Sequence, residues 1–431
     1  MKILSIETSC DETAAAVTDG RKVLSSVVYS QVLLHKRWGG VVPTIAKRAH
    51  EEKIDFVIND ALSKASKLEN SIPNFLTHKG ALPRLRQDDL ASRGSQFVKN
   101  WYLRSRTPFL ATRKINRHSR PTVSHSRAGG NLFLLDPRLH GDDVGGREDD
   151  MFLNMNNIDF IAVTYGPGLA IALEVGINKA IELAKLYGKK IIPVNHMEGH
   201  IYSSFVQNSV GNPKRSFEFP YIGLLVSGAH TELVLWEDYL KFKILGETVD
   251  DAAGEALDKA SKMLGLGYPG GALIERLALK VKNRDFYKFP RPMRGSKDLN
   301  FSFSGLKTAL YYLLKDMKES EKNSKLNDLF SSFQEAVFES IIIKTRKAIE
   351  KTGVKKIVLG GGVSANKRLR NLLNKLIKEN DGELIYPKKE LCTDNAAMIG
   401  VAAYYKAKAG IFVKNFNKFE RIPRLSLNPK S

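Results

Sequence analysis

The sequence contains two successive runs in which expected strands and helices alternate. Each run opens with two expected strands that are joined by a polar turn. The first run opens with Lys2–Glu7 and 13–18, and the second with Tyr221–Val226 and 231–236. Short apolar runs that alternate with helical periods predict βαβ units, in which helices cover a sheet. We therefore expect an α/β protein of two lobes, joined by the polar segment 207–220, with a ligand cleft between them.

The other expected elements complete these two runs. Apolar residues at 3–4 spacing predict the helices, and short apolar runs predict the strands. In the first run we expect a helix at 43–65, a strand at 158–165, a helix at 169–187 and a strand at 190–194. The apolar positions of the helix at 43–65 include Ile45, Ala49, Phe56 and Leu62. In the second run we expect helices at 255–264 and 326–351, a strand at 356–359, a helix from about Asn366, a strand at 384–386 and helix Ala396–Lys408.

Composition narrows the class of protein. Two cysteines, Cys10 and Cys392, cannot form a disulfide framework. Glu7 comes too early for a signal peptide, and no apolar run approaches the ~18 residues that cross a bilayer. The formal charge of +21 suits a polyanionic partner such as nucleic acid, although a lysine-rich proteome gives similar charges without any binding. We expect a cytoplasmic protein that does not associate with membranes.

Residues 70–150 differ from the rest of the chain. They hold 11 arginines and 3 lysines, whereas the other residues hold 13 arginines and 40 lysines. The segment has no sustained period of 2 or 3.6, and it contains turn-rich runs such as 126–131. We interpret it as a disordered or loosely packed insertion in a surface loop, although its arginines also suit RNA binding. The expected organisation is a first lobe at 1–69 and 151–219, the insertion at 70–150, a second lobe at 220–410 and a tail at 411–431.

His196 and His200 lie four residues apart, directly after an apolar strand. Residues at this spacing share one face of a helix, so both imidazoles can reach one metal ion, but two ordinary helix histidines fit equally well. Asp394 would complete a set of two histidines and a carboxylate that suits Fe or Zn, or it would simply cap a helix. Cys10 and Cys392 are either soft ligands or small buried residues.

The polar turns of the two strand pairs, at 6–13 and 226–231, have a similar composition. Facing each other across a cleft, such turns hold a phosphate with backbone N–H groups and hydroxyls, although ordinary β-turns also contain Ser, Asp and Thr. The glycines at 360–362 follow a strand and open a helix, which suits either an anion or a tight turn. They match neither a Walker-type loop nor a dinucleotide-binding motif.

Ten motifs occur along the chain in a fixed order: 6–13, 39–43, 166–168, 196–200, 226–231, 250–255, 268–271, 301–307, 361–366 and 393–395. Together they resemble those of the tRNA threonylcarbamoyladenosine transferase family (TsaD, formerly Gcp or O-sialoglycoprotein endopeptidase), of the bacterial type with an inserted segment. The resemblance covers nearly the whole chain except about 70–150 and the last 20 or so residues.

The resemblance implies a two-lobed fold of the actin/Hsp70/sugar-kinase class, with RNase H-like lobes and an interlobe cleft. It implies transfer of the threonylcarbamoyl group from threonylcarbamoyl-adenylate to N6 of an adenosine in tRNA. That adenosine lies 3′-adjacent to the anticodon, at position 37, in tRNAs that read ANN codons. The resemblance also implies one divalent metal ion per subunit, Fe²⁺ in preference to Zn²⁺, and two partners, a TsaB-like paralogue and a TsaE-like ATPase.

Carried over onto this sequence, the family's motifs assign roles to three groups of residues. The metal ligands would be His196, His200 and Asp394. The reacting end would face Ser9, Asp11 and Glu12, with Asp11 or Glu12 as the proton acceptor. The substrate would be lined by Leu225, Val226, Ser227, Gly228 and Ala229, with Asp258, Gly271 and Asn366 around its adenosine part.

Two alanines depart from the family's pattern, because Ala229 and Ala396 each stand where the family usually has glycine. If position 229 requires a positive φ, the alanine methyl costs about 1 kcal/mol and crowds the ligand. Ala396 should matter less, because it lies inside an expected helix.

Three other functions fit parts of the sequence. A metalloprotease needs a glutamate as general base, but Glu198 fits neither the His-Glu-x-x-His nor the His-x-x-Glu-His register. An ATPase or sugar kinase of the same superfamily would turn over ATP without tRNA and would leave the histidine pair unexplained. A non-catalytic binding module would have no need of Asp11, Glu12 and the metal-ligand set.

Overall fold

The computed structural model describes residues 1–71 and 155–428 of the chain. The segment 70–150, interpreted above as an insertion, therefore lies outside the described residues except at its first two positions. None of the described helices is both long enough and apolar enough to cross a membrane.

The first lobe contains the strands β1 (Lys2–Glu7), β2 (Glu12–Asp19), β3 (Lys22–Ser30), β4 (Phe160–Gly166) and β5 (Lys190–Asn195). They form one sheet in the order β3-β2-β1-β4-β5. β1 and β2 run antiparallel because only a short polar turn at 8–11 separates them, whereas β1, β4 and β5 run parallel. The carboxyl ends of the parallel strands therefore lie at one edge of the sheet, beside that turn.

The second lobe contains β6 (Tyr221–Val226), β7 (Thr231–Asp238), β8 (Lys241–Glu247), β9 (Lys356–Gly360) and β10 (Glu383–Ile385). Their order is β10-β9-β6-β7-β8, with β6 antiparallel to β7 and parallel to β9. This is the topology of the first sheet. The repeat confirms the expected α/β fold of two similar lobes.

Helices cover both sheets. The described α-helices are α1 (Val32–Lys36), α2 (Pro43–Ser71), α3 (Ala170–Tyr187), α4 (His196–Tyr202), α5 (Ala253–Met263), α6 (Gly271–Lys280), α7 (Ser304–Asp316), α8 (Glu319–Ser324), α9 (Leu326–Thr352), α10 (Lys367–Lys378) and α11 (Ala396–Lys408). Residues of α2 and α3, such as Ile58 and Leu183, bury the outer face of the first sheet. On the outer face of the second sheet, Leu224 packs in one core with Phe333 of α9 and Leu310 of α7.

Helices α4 and α11 lie in a third core between the two sheets. That core joins Ile3 of the first sheet and Val358 of the second with Ile201 of α4 and Ile399 of α11. The range 220–410 expected for the second lobe includes α11, yet this helix packs against β1 and β2 of the first sheet. The difference arises because α11 is apolar on nearly all sides, so its sequence does not indicate which sheet it covers.

Several expected elements differ from those observed. Phe56, taken above as an apolar position of α2, is 51% exposed, so that prediction is wrong. The residues of α2 that are buried include Ile54, Val57 and Ala61, whose 3–4 spacing puts Phe56 on another face. The helix also continues from 65 to Ser71. The edge strands β3 and β8 were not predicted, because their residues alternate between buried and exposed only irregularly.

The described part of the tail, residues 411–428, packs back onto the first lobe. The backbone N–H of Val413 donates to the carbonyl of Ile191, and that of Ile422 donates to the carbonyl of Tyr165. The side chain of Leu425 is buried. This segment therefore runs from the amino end of β5 to the carboxyl end of β4, which lies next to the polar turn.

Candidate metal and substrate site

Helices α4 and α11 begin side by side in the central layer. Each has an asparagine as its N-cap: the side chain of Asn195 accepts from the N–H of Met197, and that of Asn395 accepts from the N–H of Met398. Asn395 therefore fills the capping position that was the alternative role for Asp394. The Asp394 carboxylate instead points toward the first turn of α4.

His196, His200 and Asp394 form the one group of metal-ligating side chains found among the described residues. Nε2 of His196 lies 3.4 Å from Oδ1 of Asp394, and Nε2 of His200 lies 3.2 Å from the same oxygen. One ligand atom from each residue lies within 4.8 Å of the others. The two histidines, four residues apart on one helix, and the aspartate from a distant part of the chain thus converge, as a metal site requires. Cys10 and Cys392 are not part of this group.

His200 provides the test of whether these residues fit a metal. Its side chain is fully buried, and neither of its ring nitrogens makes a hydrogen bond of normal geometry, although Nε2 lies 3.2 Å from Oδ1 of Asp394. A buried polar atom without a partner costs about 1–3 kcal/mol, so native proteins rarely leave one unsatisfied. A cation bound between His200 and Asp394 would satisfy it, and the donor set of two imidazoles and one carboxylate suits a divalent metal.

The charges of the three side chains favour cation binding. Burial opposes ionisation of Asp394, but His196 and His200 outweigh it and lower the pKa of that carboxyl. Burial and the charge of His196 lower the pKa of His200, which keeps its imidazole neutral. Burial would also lower the pKa of His196, but Asp394 and Glu7 raise it well above its usual value. The carboxylates of Asp394 and Glu7 therefore stabilise positive charge at His196, and a metal ion can take the place of the proton on that ring.

Glu7 is a site residue that the sequence analysis missed. It is fully buried at the end of β1, and its Oε2 lies 3.0 Å from Nδ1 of His196. Oε2 also accepts a bond from Oγ1 of Thr164, and Oε1 accepts one from the backbone N–H of Ser9. One carboxylate thus orients the imidazole of His196 and fixes the polar turn. A carboxylate at the end of an apolar strand was the available signal, because burying one is costly without partners.

The polar turn after β1 brings Ser9, Asp11 and Glu12 close to the set His196, His200 and Asp394, which we call the metal group. Oγ of Ser9 lies 3.1 Å from Nδ1 of His196. Asp11 is buried, and its Oδ2 accepts a bond of 3.5 Å from the hydroxyl of Tyr268 in the second lobe. Burial and the negative charges of Asp394 and Asp11 raise the pKa of Glu12 to about 10. The hydroxyl and both carboxyls therefore lie in one acidic pocket.

The turn after β6 is the counterpart in the second lobe. Leu225 and Val226 are fully buried in the strand, whereas Gly228 and Ala229 are exposed. Of the residues predicted to line the substrate, Leu225 and Val226 are therefore buried and support the turn, whereas Gly228 and Ala229 are accessible. Oγ of Ser227 accepts bonds from the N–H groups of Ala229 and His230.

Ala229 does not have a positive φ. The backbone strain that a positive φ would cause at this alanine therefore does not arise. The positive φ at this site belongs to Gly361, at +88°. A Cβ on Gly361 would lie 2.4 Å from the carbonyl oxygen of Val226. Only glycine therefore allows the loop after β9 to pass so close to the end of β6.

His230 is a second residue that was not predicted as part of the site. Burial, and then electrostatic interactions with His196 and His200, lower its pKa to about 4. Its imidazole is therefore neutral. It also lies close enough to His196, His200 and Asp394 to interact with them electrostatically. His230 belongs to the motif 226–231, which the sequence did indicate. The spacing of residues within that motif does not show what its histidine does.

The residues expected around the adenosine part are held by hydrogen bonds of their own. Oδ1 of Asp258 accepts from the N–H groups of Gly270 and Gly271. Oδ1 of Asn366 caps α10, and its Nδ2 donates to Gln334. Both side chains therefore fix loops. Gly271 itself has open space beside its Cα, which leaves room for a ligand.

Glu198 points away from the metal group. Its Oε2 lies 3.1 Å from Nζ of Lys406 in α11, and both side chains are about one-tenth exposed. The carboxylate therefore links the two central helices and is unavailable as the general base of a metalloprotease.

Comparisons with known proteins agree with these features. A model of the family described as TsaD, tRNA N6-adenosine threonylcarbamoyltransferase, matches residues 22–72 and 149–401. A protein of that name from Kosmotoga olearia is 38% identical over 412 residues, which cover 96% of this chain and 95% of the relative. Another, from Endomicrobium trichonymphae, is 40% identical over 411 residues, which cover 95% of this chain and 93% of the relative.

Likeness to solved structures is weaker. An activator of 2-hydroxyisocaproyl-CoA dehydratase from Clostridium difficile has a TM-score of 0.44 and 11% identity, covering 95% of this chain and 97% of that one. A TM-score this low carries no argument about function.

Proposed function

The chain belongs to the tRNA N6-adenosine threonylcarbamoyltransferase family, and on that premise we propose the donor, the target and the residues of its reaction. It transfers a threonylcarbamoyl group to N6 of an adenosine in tRNA. The donor in our proposal is threonylcarbamoyl-adenylate, and the target is adenosine 37, 3′-adjacent to the anticodon in tRNAs that read ANN codons. The observation that supports this site is the meeting of His196, His200 and Asp394 beside the polar turns of both lobes.

We propose that these three side chains hold one divalent ion. Two histidines and one carboxylate with open positions are typical of Fe²⁺ sites, so we favour Fe²⁺, with Zn²⁺ as the alternative. A divalent ion bound there supplies Lewis-acid stabilisation of negative charge on oxygens of the donor. Glu7 holds Nδ1 of His196, which leaves Nε2 of that ring directed toward Asp394.

The chain's own groups bind and orient the donor in this proposal. Ser227, Gly228 and Ala229 offer an accessible turn, supported from below by the buried Leu225 and Val226. The open space beside Gly271 takes the adenosine part, while Asp258 and Asn366 position the loops around it.

The transfer forms a bond between N6 of the adenosine and the carbamoyl carbon, and it breaks the bond from that carbon to the adenylate phosphate oxygen. AMP leaves with the electron pair, and N6 loses one proton. We propose that Asp11 or Glu12 accepts that proton, because both carboxyls lie in the pocket beside Ser9 and His196. The raised pKa of Glu12 keeps its carboxyl protonated near neutral pH, so we favour Asp11. Holding N6 and the carbamoyl carbon in contact supplies much of the acceleration.

We further propose a cytoplasmic location, the place of its tRNA substrate, and two partners, a TsaB-like paralogue and a TsaE-like ATPase. We also propose that 70–150 is an insertion. The family match supports this last proposal, because it stops at 72 and resumes at 149.

The experiment that tests this function supplies threonylcarbamoyl-adenylate and a tRNA that reads an ANN codon to the purified protein. Mass spectrometry of the digested tRNA should detect N6-threonylcarbamoyladenosine, and the same tRNA with guanosine at position 37 should give none. ATP hydrolysis in the absence of tRNA, without any modified nucleoside, would instead favour the ATPase or sugar-kinase reading.

A further inference from the structure

Helix α7 has an unusual solvent face. Its inner face is apolar, with Leu306, Leu310 and Leu314 buried in the core of the second lobe. The opposite face exposes two adjacent tyrosines, Tyr311 and Tyr312, which are 55% and 60% accessible. Their rings contact each other at 5.6 Å in an edge-on arrangement. Large aromatic side chains exposed side by side are typical of a binding surface.

Two lysines share this face. Lys307 and Lys315 lie four residues before and after Tyr311, so the three side chains form one line along the helix. Both lysines are exposed, and neither has an ion-pair or hydrogen-bond partner among residues 1–71 and 155–428. The line spans about 12 Å at the rise of an α-helix. We call these residues, together with Tyr312, the α7 stripe.

The stripe starts close to the substrate turn of the second lobe. The N–H of Gly254 donates to the carbonyl of Ser227, so the first turn of α5 lies against that turn. Shortly before α5, the carboxylate of Asp250 accepts bonds from the hydroxyls of Ser302 and Ser304 and from the N–H of Ser304. Ser304 is the first residue of α7. Helix α7 therefore begins close to the substrate turn, and Lys307 is the stripe residue nearest to that beginning.

We propose that the α7 stripe binds the tRNA, with its lysines on backbone phosphates and Tyr311 or Tyr312 stacked on an unpaired base. The inference rests on the proposed function, because it assigns a surface to that reaction's polyanionic substrate. Positively charged side chains with exposed aromatic rings between them are the combination that binds single-stranded nucleic acid. Loops of tRNA next to a modified base provide such unpaired nucleotides.

Charge distribution favours RNA over a protein partner at this face. The loop that reaches Gly305 through Pro292 carries the exposed Arg294 and Lys297, which extend the positive surface beside the start of α7. Among the exposed acids, Asp250 accepts the hydrogen bonds at the start of α7 and Asp298 pairs with Lys344, whereas Asp316 and the acids beyond it lie at the far end of the helix. Near the start of α7, Lys307, Arg294 and Lys297 are therefore exposed cations that form no ion pair with the described residues, and the target adenosine has to enter at this end.

The test is tRNA affinity of the whole chain, measured by fluorescence anisotropy at several salt concentrations. Lys307→Gln and Lys315→Gln should each reduce the slope of log affinity against log salt by about one, because each removes one phosphate contact. Tyr311→Ala should weaken binding about tenfold through loss of stacking. In the transfer assay the double lysine variant should raise KM for tRNA and leave kcat unchanged.

The matched control is Lys185→Gln, a change of the same kind at an exposed position of α3 in the other lobe. It should leave both the affinity and the salt slope at wild-type values. Unchanged melting temperatures would show that all variants fold. Wild-type affinity and slope in the double lysine variant would overturn the stripe while leaving the transferase function intact. A wild-type protein that neither binds nor modifies tRNA would overturn both.

Discussion

Oε2 of Glu7 lies 3.0 Å from Nδ1 of His196, and this contact joins the first strand of the chain to the metal group. A carboxylate that binds the second nitrogen of a ligating histidine fixes the ring and raises its affinity for a metal. Because the other oxygen of Glu7 holds the backbone of Ser9, the same residue sets the distance between the metal group and the reacting turn.

Replacing Glu7 by glutamine should therefore weaken metal binding. We expect Glu7→Gln to lower affinity by about 10–100-fold, measured by chelator competition with Co²⁺ or Zn²⁺. Thr164→Val is the matched variant, because it removes one donor to Glu7 and leaves the carboxylate in place. It should have a smaller effect. An affinity that Glu7→Gln leaves unchanged would mean that the contact does not serve the metal.

The ion pair between Glu198 and Lys406 should stabilise the central helix layer. Lys406→Met leaves a buried carboxylate without its partner, so we expect the free energy of unfolding in urea to fall by about 3–5 kcal/mol. Adding Glu198→Gln should restore part of this loss. Lys241→Met removes the exposed pair with Glu237 and should change little. Equal effects of the two lysine variants would show that burial of the pair does not matter.

Glu232 should make stability depend on pH. Burial, and then the charge of Glu247 on the neighbouring strand, raise its pKa from 4.5 to about 7. A raised pKa means that the folded chain binds the proton more tightly, so stability falls as pH rises from about 4.5 to about 7. The difference between wild type and Glu232→Gln should change by roughly 3 kcal/mol over this range. Parallel pH profiles for the two proteins would contradict this account.

Asp11 should matter for transfer more than for donor binding. Asp11→Asn keeps an oxygen that can accept from Tyr268 but cannot take a proton, so we expect transfer to fall by about 100-fold or more. Binding of threonylcarbamoyl-adenylate, measured by calorimetry, should persist. Unimpaired transfer would exclude Asp11 as the proton acceptor, and the same pair of measurements on Glu12→Gln would then test Glu12.

The fold was largely predictable because local patterns determine its elements. β1 and β6 have the bounds expected from their apolar runs, and α11 begins at Ala396, directly after its cap Asn395. The position of α11 between the sheets was not predictable, because it depends on which surface remains uncovered after the other helices pack. Phe56 was misassigned for a related reason: one apolar residue does not show which face of a helix is buried.

The candidate site was predictable where the types of residue and their spacing along the chain indicated a shared role. His196, His200 and Asp394 converge as expected. Glu7 was missed because it belongs to a strand and contacts a histidine 189 residues away. The occupied hydrogen bonds of Asp258 and Asn366 also required coordinates, because sequence alone does not show what a polar side chain already binds.

The most direct test of the account compares wild type with His196→Ala in the transfer assay, with metal content measured on the same samples. We predict that the wild-type protein holds about one divalent ion per chain and forms N6-threonylcarbamoyladenosine. The variant should lose both the ion and the activity while retaining its fold by circular dichroism. Full transfer by a metal-free His196→Ala protein would contradict the central claim that this group of residues forms the reaction centre.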